Sequence, residues 1–161
     1  MKTITAAPLT ASAFAPFGDV IALRDTPDKV INQGKCGRHH DLAKLQFADG
    51  RAGISLFDAA PVTLPLALEM MERHPQGSQA FIPMAHGAFL VTVAHDAGGA
   101  PDVPLAFVTA PGQGINLHAG TWHGVLTPLT APGLFAVIDR IGPGANLEEH
   151  WFDAPWTICA P

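Results

Sequence analysis

The sequence is poor in charge and in long apolar segments, and each shortage argues against a class of protein. Only 14% of its 161 residues are charged, whereas the average is about 25%. Nine Lys or Arg against fourteen Asp or Glu leave a net charge of −5. This acidic balance argues against a nucleic-acid binder, which needs a basic face to neutralise phosphates. No run of about 18 apolar residues exists, so we expect no membrane-spanning helix.

Cysteine is scarce as well. Cys36 and Cys159 lie far apart and form no CxxC pair, so we expect two reduced thiols rather than a metal knuckle or a disulfide framework. The first fifteen residues contain Pro8 and lack the strong apolar run of a signal peptide. Together these features predict a cytoplasmic protein.

Several catalytic and cofactor motifs are missing. The chain has no GxGxxG, no P-loop, no GxSxG and no HExxH sequence. We therefore expect no nucleotide or organic cofactor.

Glycine and proline are abundant, with 16 and 15 residues, and 48% of the chain is hydrophobic. The hydrophobic content argues against disorder, and the scattered Gly and Pro argue against a helical bundle. Strand-like segments separated by turns every 8–12 residues predict a mainly β sandwich or barrel, formed as a single domain by residues 1–161. We expect one or two short helices, at Thr10–Phe14 and at Leu147–Trp151, and a loop over Arg24–Gly37.

Eight histidines are the one surplus that can carry chemistry. The segment Glu72–Phe81 opens on a predicted strand, where Glu72 and His74 project to one face and Arg73 to the other. His74 is a candidate general base or metal ligand. Gln79 is a candidate hydrogen-bond donor or weak ligand. The alternative is an ion-paired strand end with His74 as a bystander.

A second group surrounds the Gly120 turn. His118 and His123 are five residues apart, and a glycine turn between them allows both rings to reach one cavity. The alternative is that one of them is exposed to solvent.

Two further polar groups are weaker candidates. Arg38 and His40 lie in an Arg-His-His-Asp run that forms either a site edge or a polar loop. Asp139 and Arg140 end a predicted strand and form either a buried ion pair or a site edge.

The second group resembles the second sequence motif of the cupins, a family of small double-stranded β-barrels. Gly112, Gly120 and His123 are in register with that motif, whereas His118 and Thr127 stand where cupins have Pro and Asn. In the first cupin motif, Glu72, His74 and Gln79 correspond to metal ligands. The resemblance implies a cupin-like jelly-roll fold. A set with a neutral amide is a poorer metal site than the usual three His and one Glu.

Within the cupins, the whole chain resembles the ureidoglycolate lyase family. The segments that carry this resemblance are Phe17–Ile21, Arg38–Ala43, Glu72–Pro83, Trp122–His123 and Ile138–Arg140. The resemblance implies cleavage of (S)-ureidoglycolate to glyoxylate and urea by a cytosolic homodimer. It also implies a divalent metal, such as nickel, as a possible cofactor.

This reaction requires a base, an acid and a cation for the substrate carboxylate. We expect His74 and His123 to share the acid–base and metal-binding work, with Glu72 as the alternative base if burial raises its pKa. Gln79 suits the ureido group and is a third candidate metal ligand.

Arg73 or Arg38 is expected to bind the carboxylate, with His40 and His118 as further substrate-binding candidates. The competing functions are a metal-dependent cupin oxygenase or isomerase, and a non-catalytic cupin that binds a small metabolite.

Overall fold

The computed structural model describes residues 2–161, which are almost entirely strands and turns. One short helix, α1, covers Ala11–Phe14, and the side chain of Thr10 caps it by accepting a hydrogen bond from the backbone N–H of Ala13. The strands are β1 (Lys2–Thr5), β2 (Ala7–Pro8), β3 (Gly18–Ile21), β4 (Lys29–Ile31), β5 (Cys36–Arg38), β6 (Arg51–Asp58), β7 (Leu66–Arg73), β8 (Gln79–Pro83), β9 (Phe89–Ala94), β10 (Leu105–Val108), β11 (Gly114–Leu117), β12 (Trp122–His123), β13 (Thr127–Pro128), β14 (Leu134–Ile141) and β15 (Glu148–Cys159).

The strands form two main sheets. The larger sheet has the order β1-β15-β7-β12-β9-β10-β2, with β13 added along β9, and the smaller has the order β3-β11-β8-β14-β6. Ala6 joins the two edge strands of the larger sheet, β1 and β2, so this sheet curls into a nearly closed barrel. The prediction of a mainly β, cupin-like jelly-roll is confirmed.

Along strand β9 both faces of the larger sheet are buried. Phe89, Val91 and Val93 belong to a core between the two sheets, whereas Leu90 and Ala94 belong to a second core on the other face. Side chains alternate along a strand, so neighbouring residues of this sheet lie in different cores. The site described below depends on this alternation.

The expected loop over Arg24–Gly37 contains a hairpin. β4 and β5 pair in an antiparallel register around a turn in which Asn32, Gln33 and Gly34 all have positive φ. Asp28 stabilises the open end of this hairpin by accepting hydrogen bonds from the Arg24 guanidinium and from the backbone N–H of His40. Because two non-glycine residues occupy the left-handed region, the sequence carried no ordinary hairpin signal.

The helical turn predicted at Leu147–Trp151 is wrong. Glu148–Trp151 begins β15, which pairs with β7 and resumes that pairing at Trp156 after an irregularity. A backbone partner along the open edge of β7 outweighs the local helix preference of two adjacent glutamates. Among residues 2–161, no helix has the length and apolar character needed to cross a membrane.

Candidate active site

Three of the predicted site residues meet at one end of the space between the sheets. Strand β7 carries Glu72 directly opposite His123 of β12, and His74 follows the end of β7. His123 is also paired with Val93, which belongs to the core between the sheets. Paired residues of an antiparallel ladder share a face, so Glu72 and His123 both point into that space.

Glu72, His74 and His123 form what we call the Glu–His–His cluster. One candidate ligand atom from each residue lies within 4.8 Å of the others. Nε2 of His74 is 4.0 Å from a carboxylate oxygen of Glu72, and the two imidazole centroids are 5.3 Å apart. These distances allow the three side chains to act on one small group.

Hydrogen bonds to carbonyl groups fix the tautomers of both histidines. Nδ1 of His74 is 2.7 Å from the backbone oxygen of Asn146, and Nδ1 of His123 is 3.0 Å from that of Gly124. A carbonyl oxygen only accepts, so each Nδ1 carries a proton, and in the neutral form of each ring Nε2 presents a lone pair. Both Nε2 atoms are buried and have no hydrogen-bond partner. This is the arrangement found in metal-ligating histidines.

Gln79 adds a fourth polar group from the facing sheet. It opens β8 opposite Leu117, a residue of the core between the sheets, and therefore faces the same space as the cluster. Its side-chain NH₂ donates to Asp139 at 3.3 Å. This contact leaves the amide oxygen buried and without a partner, so Gln79 offers the site an acceptor or a weak ligand.

Burial shifts the pKa of two cluster residues. Desolvation raises the pKa of the Glu72 carboxyl, although His74 opposes this shift. Desolvation lowers the pKa of His123 to about 4, against the opposing hydrogen bond to Gly124, because the imidazole is buried beside a small and largely apolar cavity. At neutral pH, His123 is therefore an uncharged imidazole.

Arg73 points to the opposite face of β7, as strand alternation predicts. Its guanidinium donates to Glu148 at 2.6 Å and to Asp96 at 2.7 Å, and it stacks over the Trp122 ring at 4.5 Å. The indole N–H of Trp122 also donates to Asp96. This network contacts β12 on the face of the sheet opposite the cluster. It also pairs the Arg73 guanidinium with two carboxylates.

Three other predicted substrate-binding residues are not members of the cluster. Arg38 is exposed on the β4–β5 hairpin, and His40 is exposed just after it. His118 follows β11, and its Nε2 lies 3.6 Å from Asp19. The roles of Arg38, His40, Arg73 and His118 in substrate binding stay predictions.

The contacts made by Asn146 and Asp139 are not evident from the sequence. Asp139 orients Gln79, whereas Arg140 turns to Asp49 and to the carbonyl of Pro143. The contact of His74 with Asn146 spans 72 residues and uses a backbone oxygen. A bond of this kind leaves no mark on the residue type, so no sequence pattern reveals it.

The barrel and the Glu–His–His cluster, in which His123 is buried and Glu72 and His74 are half-buried, define a cupin-type protein with a site suited to a small polar molecule or a metal. Comparison with known proteins identifies the family within this class. The family model described as ureidoglycolate lyase matches residues 1–159, and the chain belongs to the ureidoglycolate lyase family.

Curated relatives match over nearly the full chain. The sequence is 60% identical over 159 residues to the ureidoglycolate lyase of Rhodobacter capsulatus, which covers 98% of this chain and 99% of that protein. It is 52% identical over 153 residues to ureidoglycolate lyase 2 of Rhizobium meliloti, with 94% of each chain covered. A ureidoglycolate lyase of Chelativorans sp. is 50% identical over 163 residues, which cover 100% of this chain and 99% of that protein.

Burial of His123 predicts a loss of stability in mild acid. An unfolded histidine titrates near pH 6.5 and His123 near pH 4, so the unfolded state takes up the proton first as the pH falls. The contribution of the neutral His123 imidazole to the free energy of unfolding is complete above pH 6.5 and disappears towards pH 4. We expect metal-stripped protein to lose roughly 3 kcal/mol more unfolding free energy over this range than a His123→Asn variant does.

Urea denaturation at a series of pH values measures this difference. His86→Asn, which removes an exposed histidine, is the matched control and should follow the wild type. Parallel curves for wild type and His123→Asn would contradict the assigned burial of a neutral imidazole.

Proposed function

We propose that this protein cleaves (S)-ureidoglycolate to glyoxylate and urea. The observation that carries the proposal is the family match over residues 1–159, combined with the Glu–His–His cluster between the sheets. The reacting carbon atom of this substrate bears a hydroxyl, a carboxylate and a ureido nitrogen. Its cleavage requires proton removal from the hydroxyl and proton delivery to the nitrogen, and no oxidant or reductant.

Glu72 is the group best suited to carry the proton. The carboxylate takes the hydroxyl proton, the C–O bond becomes a carbonyl, and the C–N bond breaks with its electron pair moving to nitrogen. The protonated Glu72 then gives the same proton to the departing urea nitrogen, which balances the reaction. A carboxyl whose pKa is raised by burial performs both transfers more readily near neutral pH than an ordinary glutamate.

The remaining polar groups bind and orient the substrate in this scheme. The Gln79 amide NH₂ is held by Asp139, so its oxygen is the atom that accepts an N–H from the ureido group. Arg73 is already engaged by two carboxylates. We therefore favour Arg38, on the exposed hairpin, as the guanidinium that contacts the substrate carboxylate.

A divalent metal such as nickel fits the same cluster. Two unpartnered imidazole nitrogens and one carboxylate are typical ligands, and the Gln79 oxygen is a weaker fourth. A bound metal would supply Lewis acidity to a substrate oxygen. A nitrogen lone pair that binds a metal cannot also take a proton, whereas a carboxylate that binds through one oxygen keeps its second oxygen for proton transfer. With a metal bound, Glu72 rather than His74 or His123 would therefore carry the proton.

Titration of the metal-stripped protein with Ni²⁺ tests this assignment. We expect binding at one ion per chain, and we expect His74→Gln to weaken it because one of two imidazole ligands is lost. His95→Gln, at an exposed position, is the control that should bind as the wild type does. Absence of Ni²⁺ binding to the wild type would overturn the metal proposal and would leave both nitrogens available as bases.

The role of Glu72 predicts a large loss of activity in Glu72→Gln. Removing a general acid–base group lowers kcat by roughly 10²–10⁴-fold, whereas Glu69→Gln, at an exposed position of the same strand, should retain wild-type kcat. The assay measures urea and ammonia released from ureidoglycolate.

A lyase releases urea, and release of ammonia and carbon dioxide would indicate an amidohydrolase instead. No turnover by the wild type would favour a non-catalytic or differently acting cupin.

We also propose that the protein forms a homodimer through the outer face of the smaller sheet. Two apolar rows cross β6, β14 and β8 there in register, namely Leu56, Ala136 and Ile82, and Ile54, Ile138 and Ala80. Ile54 is 76% exposed and Leu56 is 65% exposed, and β6 forms the edge of this sheet. Ala80 at the far end of these rows is buried, so the exposed apolar surface lies on β6 at Ile54 and Leu56. Exposed apolar side chains on an edge strand are typical of a protein interface, and a surface of this kind complements a second copy of itself.

Charge placed on this face should separate the subunits. We expect the double variant Ile54→Lys, Leu56→Lys to sediment as a monomer, because each dimer would bury four unpaired ammonium groups. The double variant Val103→Lys, Leu105→Lys introduces the same two charges at other exposed positions and should remain dimeric. Sedimentation equilibrium measures both masses. A monomeric wild type, or a double variant that stays dimeric, would contradict this interface.

The cytoplasm is the location that we propose for this enzyme. Both Cys36 and Cys159 are free thiols, which suits a reducing compartment. Recovery of the native protein in a secreted fraction would contradict this assignment.

A further inference from the structure

We propose that Asn146 is a positioning residue that fixes the tautomer of His74 and thereby aims its Nε2 lone pair into the site. The inference deepens the proposed function, on which its relevance to catalysis rests. It concerns a loop, residues 142–147, between β14 and β15.

Asn146 acts through two hydrogen bonds made by different parts of the residue. Its backbone oxygen accepts the Nδ1 proton of His74 at 2.7 Å. Its side-chain oxygen accepts the backbone N–H of Gln76, also at 2.7 Å. Because Gln76 lies two residues after His74, the side-chain bond ties the carbonyl of Asn146 to the segment that carries the histidine. Loss of the Asn146 side chain therefore releases the carbonyl that orients His74.

Little else holds this loop near the site. Residues 142–145 and residue 147 are exposed, and Asn146 alone in 142–147 is half-buried. Pro143 accepts a hydrogen bond from Arg140, and Ala145 accepts one from the Gln76 side chain. Those bonds fix the beginning and the middle of the loop, whereas the Asn146 side chain fixes the carbonyl that contacts the imidazole.

The two cluster histidines differ in how their tautomers are set. His123 donates to the carbonyl of the next residue, Gly124, so its orientation is local to β12. His74 depends on a carbonyl 72 residues away along the chain. Without that acceptor, a neutral imidazole can carry its proton on Nε2 instead. The nitrogen facing the site would then be a donor, unable to act as a base or as a ligand.

Long-range ¹H–¹⁵N NMR of the metal-stripped protein tests the proposal without substrate. In the wild type we expect His74 and His123 to carry their protons on Nδ1. In Asn146→Ala, His74 should change to a mixture of tautomers or to the Nε2–H form, whereas His123 should not change. A variant that merely loosened the whole site would move both signals.

Titration with Ni²⁺ alone supplies a second readout. Loss of an outer-shell partner of a ligating histidine costs roughly 10–100-fold in metal affinity, and we expect a loss of that size in Asn146→Ala. Asn146→Asp retains the side-chain acceptor for the Gln76 N–H and should restore both the Nδ1–H tautomer and most of the affinity. Gln76→Ala removes only the bond to Ala145 and should resemble the wild type.

The outcomes separate this inference from the proposed function. An unchanged His74 tautomer in Asn146→Ala, or an affinity within twofold of the wild type, would overturn the positioning role. If Asn146→Ala does not fold, the wild-type spectrum still decides, because a proton on Nε2 of His74 would also overturn it. A protein that shows the predicted tautomers and yet releases no urea would contradict the proposed function alone.

Discussion

Along strand β9 the larger sheet buries both of its faces, and much of the molecule follows from this constraint. One face packs against the smaller sheet, and the other packs within the curl that the joined edge strands close. Adjacent residues therefore serve different cores. Trp122 supports the barrel from one face, and its neighbour His123 enters the site from the other. The ion pairs of Arg73 with Asp96 and Glu148 stabilise the same strands from behind.

Desolvation gives the site its character. A buried neutral imidazole and a glutamate with a raised pKa are expensive to charge, so they persist only where carbonyl groups and opposing polar groups hold them in place. Three unpartnered polar atoms, Nε2 of His74, Nε2 of His123 and the oxygen of Gln79, lie on side chains that face one space. In a folded protein such atoms usually have partners, and their concentration here favours a bound ligand over a structural role.

Strand periodicity carried most of the information that the sequence could give about the site. Alternation placed Glu72 and His74 on one face and Arg73 on the other, as the structure has them. It could not place the hairpin that carries Arg38, because that turn uses left-handed Asn32 and Gln33. Nor could alternation show which of His118 and His123 enters the site, since the Gly120 turn allows either ring to reach a cavity. In the structure, His118 lies beside Asp19 instead.

The sequence by itself determined the mainly β, turn-rich class and the common strand face of Glu72 and His74, because hydrophobic alternation and side-chain chemistry are local properties. The tertiary structure alone decided which nitrogens are free, which groups are desolvated and which loop orients His74. Those properties depend on backbone carbonyls and on burial, contributed by strands far apart in the chain. A carbonyl is the same in every residue, so its role becomes visible only when the fold brings it to a side chain.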